Sequence, residues 1–327
     1  MKVIIPNFAA TDSFVDNVAT TLRSMGHEVR TPERGRISTP QSPIGAMAYE
    51  IRRKAFPHRW TRAEQWLVEA CRSDAPDLVL CLTQPLKDEV IDAVRKAGVR
   101  HLVAWWGDPP ANMREMGLLS DGWDHIYLKD AAAVAKFRTV GLPSELLHEA
   151  MNPLWHKPMA GVSNNQVAVA GNFYGFRQML VRRLMDRGVE FGLYGANLPR
   201  WISPQIKARH SGIYITREDK SRVFGEALAC LNCTTLAEGD SLNCRAFEIA
   251  GAAGLQLIED KPSVSACFEP GKEILIYRSV DEIIEHLDRA RAEPAWADGI
   301  RQAAWRRVSS EHTYEQRLRL IMGRLEG

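Results

Sequence analysis

Four polar side chains within nine residues carry the densest chemistry in this sequence: Asp240, Asn243, Arg245 and Glu248, in the stretch EGDSLNCRAFEIAGAAGLQLIED, residues 238–260. A guanidinium binds phosphate oxygens in bidentate fashion. The start of a helix offers free N–H groups and the positive end of its dipole, which also suits phosphate. Carboxylates on either side of a bound diphosphate accept hydrogen bonds from sugar hydroxyls. The set fits a nucleotide sugar, with pyrophosphate at the helix start, hexose near Asp240 and ribose near Glu248. A capped amphipathic helix with solvated charges explains the same residues without any ligand.

The elements that must hold these groups follow from spacing. Asp240 and Ser241 are good N-cap residues. Leu242, Ala246, Ile249, Ala250 and Ala253 recur at helical spacing, and Gly254 stands where a C-cap glycine belongs. Residues 255–258 form an apolar run, the pattern of a buried parallel strand. Asp240 and Glu248 are eight positions apart. On one continuous helix they would lie within about 80° of each other and about 12 Å apart along the axis.

Other polar groups fall where strands end. Gly171, Asn172 and Arg177 occupy a strand-to-helix loop, and such a turn leaves N–H groups open to phosphate. Tyr194 and Gly195 end the next expected strand. In the first half, Asn7 follows strand 2–6, and Trp105-Trp106-Gly107-Asp108-Pro109-Pro110 ends strand 101–106. Aromatic faces stack on sugars and Asp108 could take a proton, or both rings are core and Asp108 caps the following helix. His148, Trp155 and His156 lie in or near the expected linker, where a histidine is ordinarily structural. Residues 33–62 are basic through Arg34, Arg36, Arg52, Arg53, Lys54 and Arg59, either an acceptor-binding loop or a solvated face.

Composition excludes several classes. The 327 residues suit two domains. A net charge of +2 gives no overall drive toward nucleic acid or membrane. No apolar run reaches the roughly 20 residues of a membrane span, and the N-terminal run is short for a secretory signal. Six cysteines in a chain this long predict reduced thiols and a cytoplasmic setting. Cys230 and Cys233 form a CxxC with no second pair for zinc, so core packing is expected. No DxD motif is present. The chain is expected to use no metal and no cofactor beyond its donor substrate.

The spacing Asp240-x7-Glu248 resembles the E-x7-E element of group 1 retaining glycosyltransferases. The string from Asp240 to Glu248, with Gly251 and Gly254, resembles the glycosyltransferase-like family that includes the spore-maturation protein CgeB. Phe268-Glu269-Pro270-Gly271-Lys272-Glu273, Tyr277, Glu311-His312-Thr313-Tyr314 and Arg317 match it too. The likeness covers about residues 165–320, and Asp at the first acidic position departs from the wider pattern.

This resemblance implies an α/β protein of GT-B fold, with two doubly wound Rossmann-like domains facing across a cleft. The expected divisions are 1–155 for acceptor, 156–313 for donor, and a final helix 314–327 crossing back to the first domain. It implies a retaining, metal-independent transfer of sugar from a nucleotide-diphosphate sugar. The donor residues would be Gly171, Asn172, Arg177, Tyr194, Gly195, Ser241, Asn243, Arg245 and Glu248. Asn7, Trp105 and Trp106 would face the acceptor, with Asp108 and Asp240 at the chemistry. The acceptor could be a saccharide, a protein, a small metabolite or a modified nucleobase. A nucleotide-sugar epimerase or hydrolase, or a binding protein without catalysis, would fit the same frame.

Overall fold

The structure, a computed structural model, describes residues 1–37, 42–56, 58–109, 118–159, 161–196 and 198–325. Pro110 lies outside these, and the side chains of Arg52, Arg53 and Lys54 are likewise not described. The chain divides into two compact units. The first holds Met1–Asp108, Asn112–Leu147 and Ile321–Gly327, and the second is mainly His148–Leu320.

The first unit runs β1 (Lys2–Ile4), α1 (Phe14–Ser24), β2 (Glu28–Arg30), α2 (Arg34–Ile37), α3 (Pro43–Ala55), α4 (Arg62–Asp74), β3 (Leu78–Leu82), α5 (Asp88–Lys96), β4 (His101–Trp106), β5 (His125–Leu128), α6 (Ala131–Thr139) and β6 (Ser144–Leu146). The sheet order is β2-β1-β3-β4-β5-β6, parallel throughout. The central strand β3 is apolar and buried along its whole length, and β4 from Leu102 on, the pattern of parallel strands covered on both faces. Local signals set the boundaries. Ser13 caps α1, Asp130 caps α6, and Thr61 with Glu64 closes a capping box on α4.

The second unit runs β7 (Val167–Ala170), α7 (Gly175–Met185), β8 (Phe191–Tyr194), α8 (Pro204–Arg209), α9 (Arg217–Glu226), β9 (Ala229–Asn232), α10 (Cys244–Gly251), β10 (Gln256–Glu259), α11 (Pro262–Cys267), β11 (Leu275–Tyr277), α12 (Val280–Ala292), α13 (Pro294–Glu311) and the start of α14 (Tyr314–Leu325), which from Ile321 on is grouped with the first unit. Its parallel sheet has the order β11-β10-β9-β7-β8. The chain steps outward from β7 to β8, then returns to place β9 on the other side of β7. The β7/β9 gap is therefore a topological switch point, where open α/β sheets leave a crevice at the strands' carboxyl ends.

Residues 213–215 lie outside both sheets, with Ile213 and Tyr214 exposed and Ile215 buried. Between β8 and α9 the chain forms α8, started by a Ser203 cap with Pro204 in its first turn. One local expectation fails, the C-cap of the helix in the 238–260 stretch. Gly254 is not the left-handed residue ending α10; Ala253 takes that conformation, at φ 54°. Gly254 instead permits close packing, since a Cβ there would lie 2.9 Å from Ile249 Cγ2 and 3.0 Å from the Phe224 carbonyl.

Candidate active site

The helix at the centre of the sequence signal is shorter than expected. Asn243, not Asp240 or Ser241, is the N-cap of α10, and its Oδ1 accepts from Ala246 N at 3.2 Å. The reason lies on the neighbouring strands. Asn243 and Asn232 exchange amide hydrogen bonds at 3.1 Å each. Asn232 also donates to Gln256 Oε1 at 3.0 Å, and Gln256 Nε2 donates to the Ala246 carbonyl at 3.2 Å. Three amides from β9, β10 and the cap thus fix where α10 begins. The opening signal contained Asn243 alone; Asn232 and Gln256, polar residues at the ends of apolar runs, were the overlooked clue.

Asp240 therefore shares no helix with Glu248. Its exposed carboxylate accepts from Ser263 N at 2.8 Å, satisfying an N–H in the first turn of α11. Ser241 is fully buried, and its hydroxyl lies 2.8 Å from the Glu238 carbonyl and 2.9 Å from Glu238 Oε1. It is tied up within the loop, contrary to its expected donor role. Glu248 is buried, with Lys220 Nζ of α9 at 2.9 Å and His156 Nε2 at 3.7 Å from its Oε1.

The turn holding His156 is itself compact. Asn152 N donates to His156 Nδ1 at 3.0 Å, Ser221 Oγ donates to the Trp155 carbonyl at 2.8 Å, and the Arg217 guanidinium lies over the Trp155 ring. Gly251 lets α10 approach this turn, since a Cβ there would sit 3.0 Å from the His156 carbonyl.

At the switch point the geometry converges. Gly171 follows β7 with φ +111°, in the region that favours glycine. A Cβ on it would lie 2.7 Å from Arg245 Nη2 and 3.4 Å from Arg177 Nη1. Arg177, in the first turn of α7, is buried. It donates to the Asn172 carbonyl beyond β7 at 2.5 Å and to the Cys233 carbonyl beyond β9. One guanidinium thereby bridges the crevice. Burial and the neighbouring Arg245 charge hold its pKa below the usual arginine value. The Nε atoms of both arginines are buried without a hydrogen-bond partner among the described residues, and no carboxylate there pairs with Arg245. Two cations are thus brought together, each with a buried Nε that has no hydrogen-bond partner among the described residues, an arrangement that an anion would suit.

The surroundings add further donors. Tyr174 caps α7 without a side-chain bond, leaving that helix start open. Glu259 at the end of β10 accepts from Thr234 N at 3.0 Å and Thr234 Oγ1 at 2.9 Å, and Lys261 Nζ donates to Thr234 Oγ1 at 2.7 Å. Gly195 packs directly on Gly171, whose carbonyl a Cβ at Gly195 would meet at 2.5 Å. Asn172 is exposed, with its carbonyl given to Arg177.

Tyr194 departs from expectation. Its Oη would lie 3.3 Å from a Cβ on Gly192, so the ring folds back along its own strand. It packs against a buried cluster that includes Ala168, Ala170 and Phe224.

In the first unit, both tryptophans are core. Trp105 is fully buried, met edge-on by Phe14 with ring centroids 4.8 Å apart, and its Nε1 donates to the Leu147 carbonyl at 3.2 Å. Trp106 belongs to the opposite apolar layer. Neither presents a face for stacking, because alternate residues of a covered parallel strand point into the two helix layers. Asp108 is exposed at the carboxyl end of β4, and Asn7 follows β1 with its Oδ1 buried and unpartnered among the described residues. Cys230 and Cys233 are buried free thiols, pushed up to about 12 by burial first of all, which makes them packing groups and not nucleophiles. No helix among the described residues is long and apolar enough to cross a membrane.

Comparison with known structures decides the architecture. Sucrose-phosphate synthase from Thermosynechococcus elongatus superposes with a TM-score of 0.71 over 99% of this chain and 98% of that one, at 13% identity. Anabaena HepE in complex with UDP-glucose gives 0.66 over 98% and 99%, at 9% identity. The fold is GT-B. A glycosyltransferase from Rickettsia africae gives 0.61 over 99% and 97%, also at 9% identity. Residues 177–323 match the family model described as glycosyl transferase-like. That span begins at Arg177 and includes Arg245, Glu248 and the whole amide network. No curated protein matches the chain.

Proposed function

We propose that this GT-B protein is a glycosyltransferase that takes a sugar from a nucleotide-diphosphate donor held at the β7/β9 switch point. One observation carries the reading: Arg177 and Arg245 converge on Gly171 with orphaned Nε donors in a chain that matches the glycosyl transferase-like family. Cleavage of the donor's glycosidic bond leaves an extra negative charge on the diphosphate. Preorganised cations at that point stabilise it as it develops, the largest electrostatic demand of the step. The arginines and the open start of α7 meet that demand from the chain's own groups, in a metal-independent transfer with retention. Asp240, with one carboxylate oxygen on Ser263 N, offers the other to a sugar hydroxyl. In the first unit, exposed Asp108 and Asn7, whose Oδ1 has no partner among the described residues, are the acceptor-side groups.

UDP is the first nucleotide to try, since the similar Anabaena HepE was crystallised with UDP-glucose and with UDP. The test is a calorimetric titration with UDP-, GDP-, ADP- and dTDP-sugars, followed by product analysis with candidate acceptors. At least one donor should bind, and Arg245→Gln should weaken that binding by roughly 10- to 100-fold. Failure of every donor to bind overturns the proposal. Binding with rapid release of free sugar would identify a hydrolase on this frame.

A further inference from the structure

We propose that α3 is an interfacial helix that seats the first unit on an anionic lipid surface. Ile44, Met47 and Ile51 are 78%, 60% and 60% exposed. Their i, i+3, i+7 spacing puts them on one face of the helix, the stripe that in a soluble domain turns inward to the core. No described residue of α3 is buried. Phe56, just beyond the helix, is 60% exposed as well. Single exposed apolar residues are ordinary, but four large ones in one short segment form a patch that asks for a partner.

Both flanks tie this segment to the first unit. Ile37 before α3 and Trp60 after it both pack against the first unit's core. The helix between these anchors turns its apolar side outward.

Charge selects the occupant. Residues 33–62 contain seven basic residues, Arg34, Arg36, Arg52, Arg53, Lys54, Arg59 and Arg62, against Glu33 and Glu50. The whole chain nets only +2, so the remainder is acidic and the basic excess is gathered here. Arg34, Arg36, Arg59 and Arg62 are exposed. An apolar stripe with basic residues around it matches a bilayer with anionic headgroups, where the stripe enters the acyl boundary and the cations stay among the phosphates. With 13 residues, α3 extends about 20 Å and lies in the interface without spanning it. A second copy of this chain would bring the same positive charge to the contact and is disfavoured.

Flotation of the full chain tests this, using vesicles of phosphatidylcholine alone and of equal parts phosphatidylcholine and phosphatidylglycerol. The chain should float with the mixed vesicles and not with phosphatidylcholine, and added salt should weaken binding. The exposed-site variant Met47→Glu/Ile51→Glu should lower partitioning about tenfold or more. Its melting temperature and gel-filtration position should stay unchanged. Arg34→Gln/Arg36→Gln/Arg59→Gln should weaken binding to the mixed vesicles without touching the stripe. Absence of flotation at low salt overturns the proposal, as does equal flotation of parent and variants. A parent dimer that becomes monomeric in the Glu variant would assign the face to a second copy and overturn it too.

Discussion

The guanidinium groups of Arg177 and Arg245 are held against the same glycine, one bridging the β7/β9 crevice and the other reaching in from the first turn of α10. Like charges so placed repel, and their proximity is a cost the fold carries before any ligand arrives. Removing one of them separates stability from binding. Arg245→Gln should leave the melting temperature of the free protein unchanged or slightly raised. Affinity for the donor nucleotide should fall by roughly 10- to 100-fold, the loss of a charge-assisted hydrogen bond worth about 1.5–3 kcal/mol. Calorimetry and thermal melts read the two effects separately. A large drop in stability with unchanged affinity would show that Arg245 is structural.

Gly171→Ala tests the same point through the backbone. The added Cβ meets Arg245 Nη2 at 2.7 Å, and φ +111° is strained for any side chain. The variant should lose about 1–3 kcal/mol in urea unfolding and also lose its nucleotide-induced thermal shift. Wild-type behaviour in both measurements would mean that the loop has room the geometry does not show.

The buried Lys220–Glu248 ion pair predicts a coupled pair of substitutions. Lys220→Met alone takes the nearest cation from a buried carboxylate that keeps His156 Nε2 at 3.7 Å, and should destabilise the protein by up to about 3–5 kcal/mol. Adding Glu248→Gln should recover a substantial part of that loss. Independent, additive costs in a double-mutant cycle would argue against the pairing. Donor affinity of Glu248→Gln, measured by calorimetry, decides whether this carboxylate also serves the ribose.

His312 predicts an acid limb. Arg317 Nη2 donates to its Nδ1 at 2.7 Å, and its Nε2 lies 3.1 Å from the Cys267 carbonyl, so the neutral ring fills both roles. Burial first, then the Arg317 charge, pushes its pKa down to about 4 from the usual 6.5. Because the folded-state value is the lower one, the unfolded chain takes up the proton first as pH falls. This contribution is intact above about 6.5 and is lost between about 6.5 and 4, roughly 2 kcal/mol of it by pH 5. Urea midpoints at pH 7 and pH 5 should therefore lie closer together in His312→Gln than in the parent. Equal spacing in both proteins would count against His312 as the source.

Much of this fold could be read from the chain because its signals are local. Ser13, Thr61 and Asp130 cap the helices they precede, and apolar runs such as residues 78–82 and 101–106 match whole strands. Arg177 and Arg245 could be named from charge and loop position. What the residues alone did not disclose depends on partners far away in sequence. The start of α10 is set by Asn232 and Gln256 on two neighbouring strands, and helical periodicity carries no trace of that. For the tryptophans of β4 the residues left two readings open, and the core one holds, because alternation along the strand sends each ring into a helix layer. Tyr194 misled because its place at a strand end says nothing of which way the ring turns.

The Asn243–Asn232–Gln256 set has a consequence for acidity. All three are neutral amides, so protons neither join nor leave the frame that sets the start of α10. Guanidinium groups likewise keep their charge through the ordinary range. The proposed anion seat should thus hold a constant polarity from mildly acidic to mildly alkaline buffer, so that affinity for a free nucleoside diphosphate follows the ionisation of its terminal phosphate while affinity for the sugar donor, whose distal phosphate is esterified, stays level.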